Sequence, residues 1–85
     1  MVSVSLLEGA KAEAVEVIVQ EGAPVAGKKL MEVNLPRECL VCAYVRNGEA
    51  SIPNGHTVLQ PGDRTILFIQ TRFSQQVIKY FKGKE

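Results

Sequence analysis

Hydrophobic residues along this chain recur with a period of two in several short stretches and with a helical period in two others. In Ala12–Gln20, AEAVEVIVQ, residues Val15, Val17 and Val19 fall on one side and Ala14, Glu16, Ile18 and Gln20 on the other. The β-branched content and the alternation predict a strand with one wetter face, ended by Glu21-Gly22. Two apolar runs flank Asn47-Gly48. That dipeptide favours a two-residue type I′ hairpin turn, because both central positions need positive φ. The turn sets a register in which Arg46 faces Glu49, Val45 faces Ala50, Tyr44 faces Ser51 and Ala43 faces Ile52. One face then carries Val41, Ala43, Val45, Ala50 and Ile52. The other carries Leu40, Cys42, Tyr44, Arg46, Glu49 and Ser51, and is half apolar. Pro53 ends the second strand, since it cannot donate to a ladder. Thr57–Leu59 reads as a brief extended piece, Gln60-Pro61-Gly62-Asp63 as a sharp turn. Residues 64–70, RTILFIQ, are apolar on both sides, which predicts a central strand buried on both faces.

The helical stretches are Val25–Asn34 and the segment after Ser74. In the first, Ala26, Leu30 and Val33 form one stripe behind Pro24, a residue suited to a first helical turn. Gly27 is costly inside a helix, and a close backbone approach would account for it. In the second, Ser74 suits an N-cap, Phe73 and Ile78 fit a hydrophobic staple, and Val77, Tyr80 and Phe81 form the buried stripe. Residues 1–11 are mixed and read as a linker or arm, leaving 12–85 as the domain. The order is β-α-β-β-β-α. It predicts an α+β fold, a small, largely antiparallel mixed sheet with two helices against one face.

With 85 residues there is room for one domain. Such a chain buries roughly 60% of its unfolded surface, so it is modestly stable alone. Its net charge of +1 gives no electrostatic basis for binding nucleic acid. The basic cluster Lys79, Lys82 and Lys84 falls where cations favour a helix C-terminus. No apolar run approaches the ~20 residues needed to span a bilayer, and the start lacks a basic leader region. The expected location is cytosolic.

Candidate chemistry is sparse. Cys39 and Cys42 have C-x-x-C spacing, but on a regular strand they point to opposite faces and cannot share a metal. They read as reduced packing residues, and no metal site is expected. Neither a G-x-G-x-x-G fingerprint nor a P-loop is present, so NAD or ATP has no basis for binding through those devices. Asp63 is suited to bonding backbone amides around its turn. His56 reads as an exposed loop residue. Arg46, beside Asn47 at the hairpin tip, has donors suited to phosphate or carboxylate, against the simpler reading of a cross-strand pair with Glu49. No catalytic residues emerge. An enzyme using Cys42 or His56 is the remotest reading.

Several short motifs occur in a specific order. They are Glu21-Gly22-x-Pro24-x-x-Gly27-x-x-Leu30, Asn34-Leu35-Pro36, Val45-Arg46-x-Gly48 with Pro53, and Leu59-x-Pro61-Gly62-Asp63. Together, from about Ala12 to Phe81, they resemble the C-terminal domain of the TrkA and RCK family, cytosolic regulators of potassium transport. The opening SLLEGAKAEAVEVIV resembles the join between that family's two domains. The resemblance implies a non-enzymatic regulatory domain that senses a ligand, forms a homodimer and acts on a potassium transporter or channel subunit. It also implies a Rossmann-type N-terminal partner domain, which would carry any NAD or ATP. The membrane would then be met only peripherally, at its inner face and through a partner. Arg37, Arg46 and Asn47 are the candidate ligand contacts. A constitutive dimerisation module without ligand is the alternative. Relatives that bind cyclic di-AMP carry a longer segment where this chain has Leu35-Pro36-Arg37-Glu38, so that ligand ranks below both, with Arg37 a partial match.

Overall fold

The computed structural model describes residues 2–7 by their backbone pairing and residues 9–83 in full. One sheet dominates, with strands β1 (Val2–Leu7), β2 (Ala12–Ile18), β3 (Cys39–Arg46), β4 (Glu49–Ser51) and β5 (Arg64–Gln70). Their order is β1-β2-β5-β3-β4, and every pairing is antiparallel. A helix α1 (Ser74–Ile78) follows a 3₁₀ turn at Thr71–Phe73. The fold is α+β, as expected. The opening residues, read as a linker or arm, pair with β2 as an edge strand from Val2 to Leu7.

The hairpin forms as its sequence dictates. Asn47 and Gly48 have φ of 52° and 79°, and the pairs Tyr44–Ser51, Val45–Ala50 and Arg46–Glu49 hold the expected register. β4 stops at Ser51, so the expected Ala43–Ile52 pair does not form. β5 is the middle strand of five. Its burial is one-sided, however: Thr65, Leu67 and Ile69 are buried, while Phe68 remains 38% exposed.

The core lies on that side. Val15, Val17 and Val19 meet Leu67 and Ile69, and Val77, Ile78 and Phe81 close over them. Val25 and Leu59 complete the fully enclosed cluster. Ser74 is the first residue of α1 and not its cap; its hydroxyl donates to the Glu13 carboxylate at 3.3 Å. Tyr80 donates to the Asn34 carbonyl at 2.8 Å, tying the chain after α1 to the loop before β3.

The helix expected over Val25–Asn34 is reduced to a 3₁₀ turn at Leu30–Glu32. Gly27 has φ of +80°, a left-handed conformation that interrupts a right-handed helix. Space around its missing side chain is open, so close approach is not its purpose. The backbone instead bonds sideways: Gly27 N–H to Leu59 O, Leu30 N–H to Thr57 O and Met31 N–H to Gly55 O. Ala26, Leu30 and Val33 still pack against the core, so the apolar stripe forms without the helix.

A second departure is a bulge in β3. Register with β5 runs Val41–Leu67 and then Ala43–Ile66, leaving Cys42 as the extra residue. A bulge resets which side chains face which way. Cys39, Val41 and Tyr44 therefore pack toward the core, and Leu40, Ala43 and Val45 share the opposite face with Phe68, Ile66 and Arg64. Strict alternation, expected over residues 40–46, fails here, and with it the argument that Cys39 and Cys42 must point apart. Both are free and half-buried, and burial pushes the Cys39 thiol up to about 11, with Cys42 adding to the shift. A shift in that direction keeps the thiol protonated near neutral pH, which disfavours attack by its sulfur.

Candidate functional site

Three features on the described residues bear on the expected site: a charged cluster at one end of the sheet, the bare sheet face, and an apolar cleft beside it. The cluster centres on Asp63, which is 2% exposed. Arg46 holds it with two bonds, Nε to Oδ1 at 2.9 Å and a terminal nitrogen to Oδ2 at 2.7 Å. The same nitrogen donates to the Val58 carbonyl at 3.0 Å, and the Gln60 amide donates to Asp63 Oδ2 at 2.9 Å. The guanidinium also lies 5.2 Å from the Tyr44 ring centre. Arg46 holds the Asp63 carboxyl below the usual carboxylate range; burial opposes this and the Gln60 amide assists it.

The cluster corrects the simpler reading of Arg46. Glu49 stands opposite it in the ladder, but the guanidinium turns to Asp63. The reason is burial: a carboxylate withdrawn from water must be paired, whereas Glu49 is solvated. Asp63 does bond the turn amide, as expected, and staples the hairpin to the turn before β5 as well.

The three residues proposed as ligand contacts do not converge. Arg46 and Asn47 adjoin at one end of β3. Arg37 lies in the turn beyond its other end, with the eight-residue strand, roughly 23 Å long, between them. Arg37 and Asn47 are exposed, and Arg46 is already committed to Asp63.

The bare face is the larger feature. Rows across it read Ala14–Phe68–Leu40, then Glu16–Ile66–Ala43, then Ile18–Arg64–Val45–Ala50. Leu40 is 63% exposed and Ile18 53%. Within these rows, one ion pair among the described residues, Arg64 to Glu16 at 3.2 Å, interrupts the apolar surface. Beside it a shallow cleft of about 270 Å³ runs between Leu30, Met31, Leu40, Val41 and Pro53. The apolar tally was visible in the sequence, but the bulge that gathers Leu40, Ala43 and Val45 with Phe68 was not.

Residues 14–82 match the family model described as the TrkA-C domain. The chain belongs to this family. It is 34% identical over 80 residues to "Trk system potassium uptake protein TrkA homolog 1" of Methanosarcina mazei, covering 94% of this chain and 18% of that protein. A TrkA homolog of Pyrococcus abyssi is 36% identical over 80 residues, covering 93% of this chain and 35% of that protein. The TrkA-C domain thus spans well under half of these curated relatives. Among solved structures, one described as "Structure of RCK domain with cda" superposes with a TM-score of 0.71 at 19% identity. It covers 81% of this chain and 97% of that one, and shows that the fold is RCK-like. Among the described residues, no helix is long and apolar enough to cross a membrane.

Proposed function

We propose that this TrkA-C domain is a non-enzymatic regulatory module of a Trk-type potassium uptake system or channel. It acts as a homodimer at the cytoplasmic face of the membrane, joined to a Rossmann-type domain that would carry any nucleotide and, through it, to a membrane subunit. Family membership supports the system. The observation that carries the dimer is the uncovered apolar sheet face, because contiguous surfaces of this kind mark sites of association.

The face suits a two-fold partner. In such a contact the same patch meets itself, so Phe68 and Leu40 would be buried on both copies. The pairs Arg64–Glu16 then sit where two copies can exchange charge partners. Regulation follows if a ligand binds one arrangement of the pair better than another, since only such a difference shifts the balance. Arg37 and Asn47 are the candidate contacts left free to reach a ligand; Arg46 would take part only by releasing Asp63.

Sedimentation equilibrium tests the dimer, and calorimetric titration with nucleotides and divalent ions tests the ligand. A dimer that takes up none of them is the constitutive assembly module, the second reading. Arg46→Ala does not discriminate between the two, because it strands a buried carboxylate. Arg37→Ala combined with Asn47→Gly does, since glycine preserves the turn conformation at residue 47. Loss of the titration heat by that double variant supports sensing.

A further inference from the structure

The opposite end of the sheet holds an open cleft of about 590 Å³, lined by Ala10, Lys11, Gln70, Thr71 and Arg72. We propose that this cleft, between the Gly9–Lys11 turn and the Thr71–Phe73 turn, binds a small organic phosphate. The site is separate from Arg46 and Asn47 and does not depend on the regulatory reading above.

Three observations lead there. The volume lies within the range of small-molecule sites and is generous for a ligand of mononucleotide size. Two cations, a hydroxyl and a carboxamide line it, and Lys11 and Arg72 come from distant parts of the chain. Arginine and lysine beside a hydroxyl form a donor set for phosphate oxygens, the arginine in a planar fork and the lysine as a point charge. Ala10 and the methylenes of Lys11, Gln70 and Arg72 supply apolar surface for the rest of the ligand.

The backbone that carries these donors is tied together. The Thr71 amide donates to the Lys11 carbonyl at 2.8 Å, which fixes the two turns against each other. The Arg72 guanidinium rests 4.9 Å from the centre of the Phe73 ring, which limits its swing. Among the described residues, neither Lys11 nor Arg72 forms a salt bridge. Lys11 holds φ of 54°, one of two non-glycine residues with positive φ among the described residues. The other, Asn47, is in a turn that requires it, and asparagine tolerates that conformation well. Lysine does not, so its charge stands at a position where glycine would fit the backbone better.

The test uses the 85-residue chain, isotope-labelled, with amide shifts followed by NMR during titration with adenosine 5′-monophosphate, adenosine and inorganic phosphate. The proposal expects saturable shifts at Ala10, Lys11, Thr71 and Arg72 with the monophosphate, at least about tenfold tighter than with adenosine or inorganic phosphate alone. Lys11→Gly with Arg72→Ala should weaken binding by about tenfold or more while the amide spectrum elsewhere stays native. No saturation by about 10 mM monophosphate overturns the proposal. So does equal binding of adenosine, or undiminished binding by the double variant. Shifts confined to Arg37 and Asn47 overturn it too, and would support the ligand-sensing reading instead.

Discussion

The two faces of one sheet are both apolar, yet among the described residues only one is covered. On the covered face, Val15, Leu67 and Ile69 lie under Val77 and Phe81, all of them fully enclosed. On the bare face, Ile18, Leu40 and Phe68 stay in water. The covered face therefore determines whether the chain folds, and the bare face, on the proposed reading, determines what it meets. Substitutions of similar chemistry on the two faces should fail in different ways.

The largest effect is expected on the covered side. Phe81→Ala removes the largest enclosed side chain and should cost about 3–5 kcal/mol, which a domain of this size can barely absorb. Urea unfolding would show the midpoint collapse at every protein concentration. Arg46→Met comes next. It leaves Asp63 buried with only the Gln60 amide and should cost about 3 kcal/mol. Asp63→Asn should cost less, because the half-exposed guanidinium can return to water.

The same pair gives a pH signature. Asp63 is depressed in the folded state, so its contribution is present above the ordinary carboxylate pKa and is lost as pH falls through the folded one. Wild-type stability should hold down to about pH 4 and then decline. In Arg46→Met the buried carboxylate has lost its cation and its pKa rises. Stability of that variant should therefore increase on acidification over the range where the wild type is flat. Urea midpoints from pH 7 to pH 3 check both slopes.

Lys11→Gly is the smallest expected change. Relief of the left-handed backbone is worth about 1 kcal/mol and is partly offset by the entropy of glycine, leaving a net gain of about 0.5 kcal/mol. A thermal melt would register it as a rise of a few degrees. A stabilised variant that binds organic phosphate less well would separate the role of that lysine from folding.

Much of the covered face is legible in the sequence. Alternating valines gave β2, Asn47-Gly48 gave the hairpin register, and the Phe73–Phe81 pattern gave the closing helix. Local chemistry determines each of these. The remainder depends on choices that composition does not mark. Gly27 fits a helix pattern by position and breaks it by its φ. The bulge at Cys42 carries no glycine or proline to announce it, yet it exchanges the faces of β3. Arg46 finds Asp63 across 17 residues instead of the Glu49 opposite, because burial of the carboxylate outweighs adjacency. Motif order conveyed the family. The location of the bare face came only from tertiary register.

Sedimentation equilibrium of the wild-type chain beside Phe68→Asp tests the central claim most directly. The account predicts twice the chain mass for the wild type, and a folded monomer for the variant with an unchanged urea midpoint at the lowest concentration. A wild type that stays monomeric at high concentration, or a variant that remains a dimer, would contradict it.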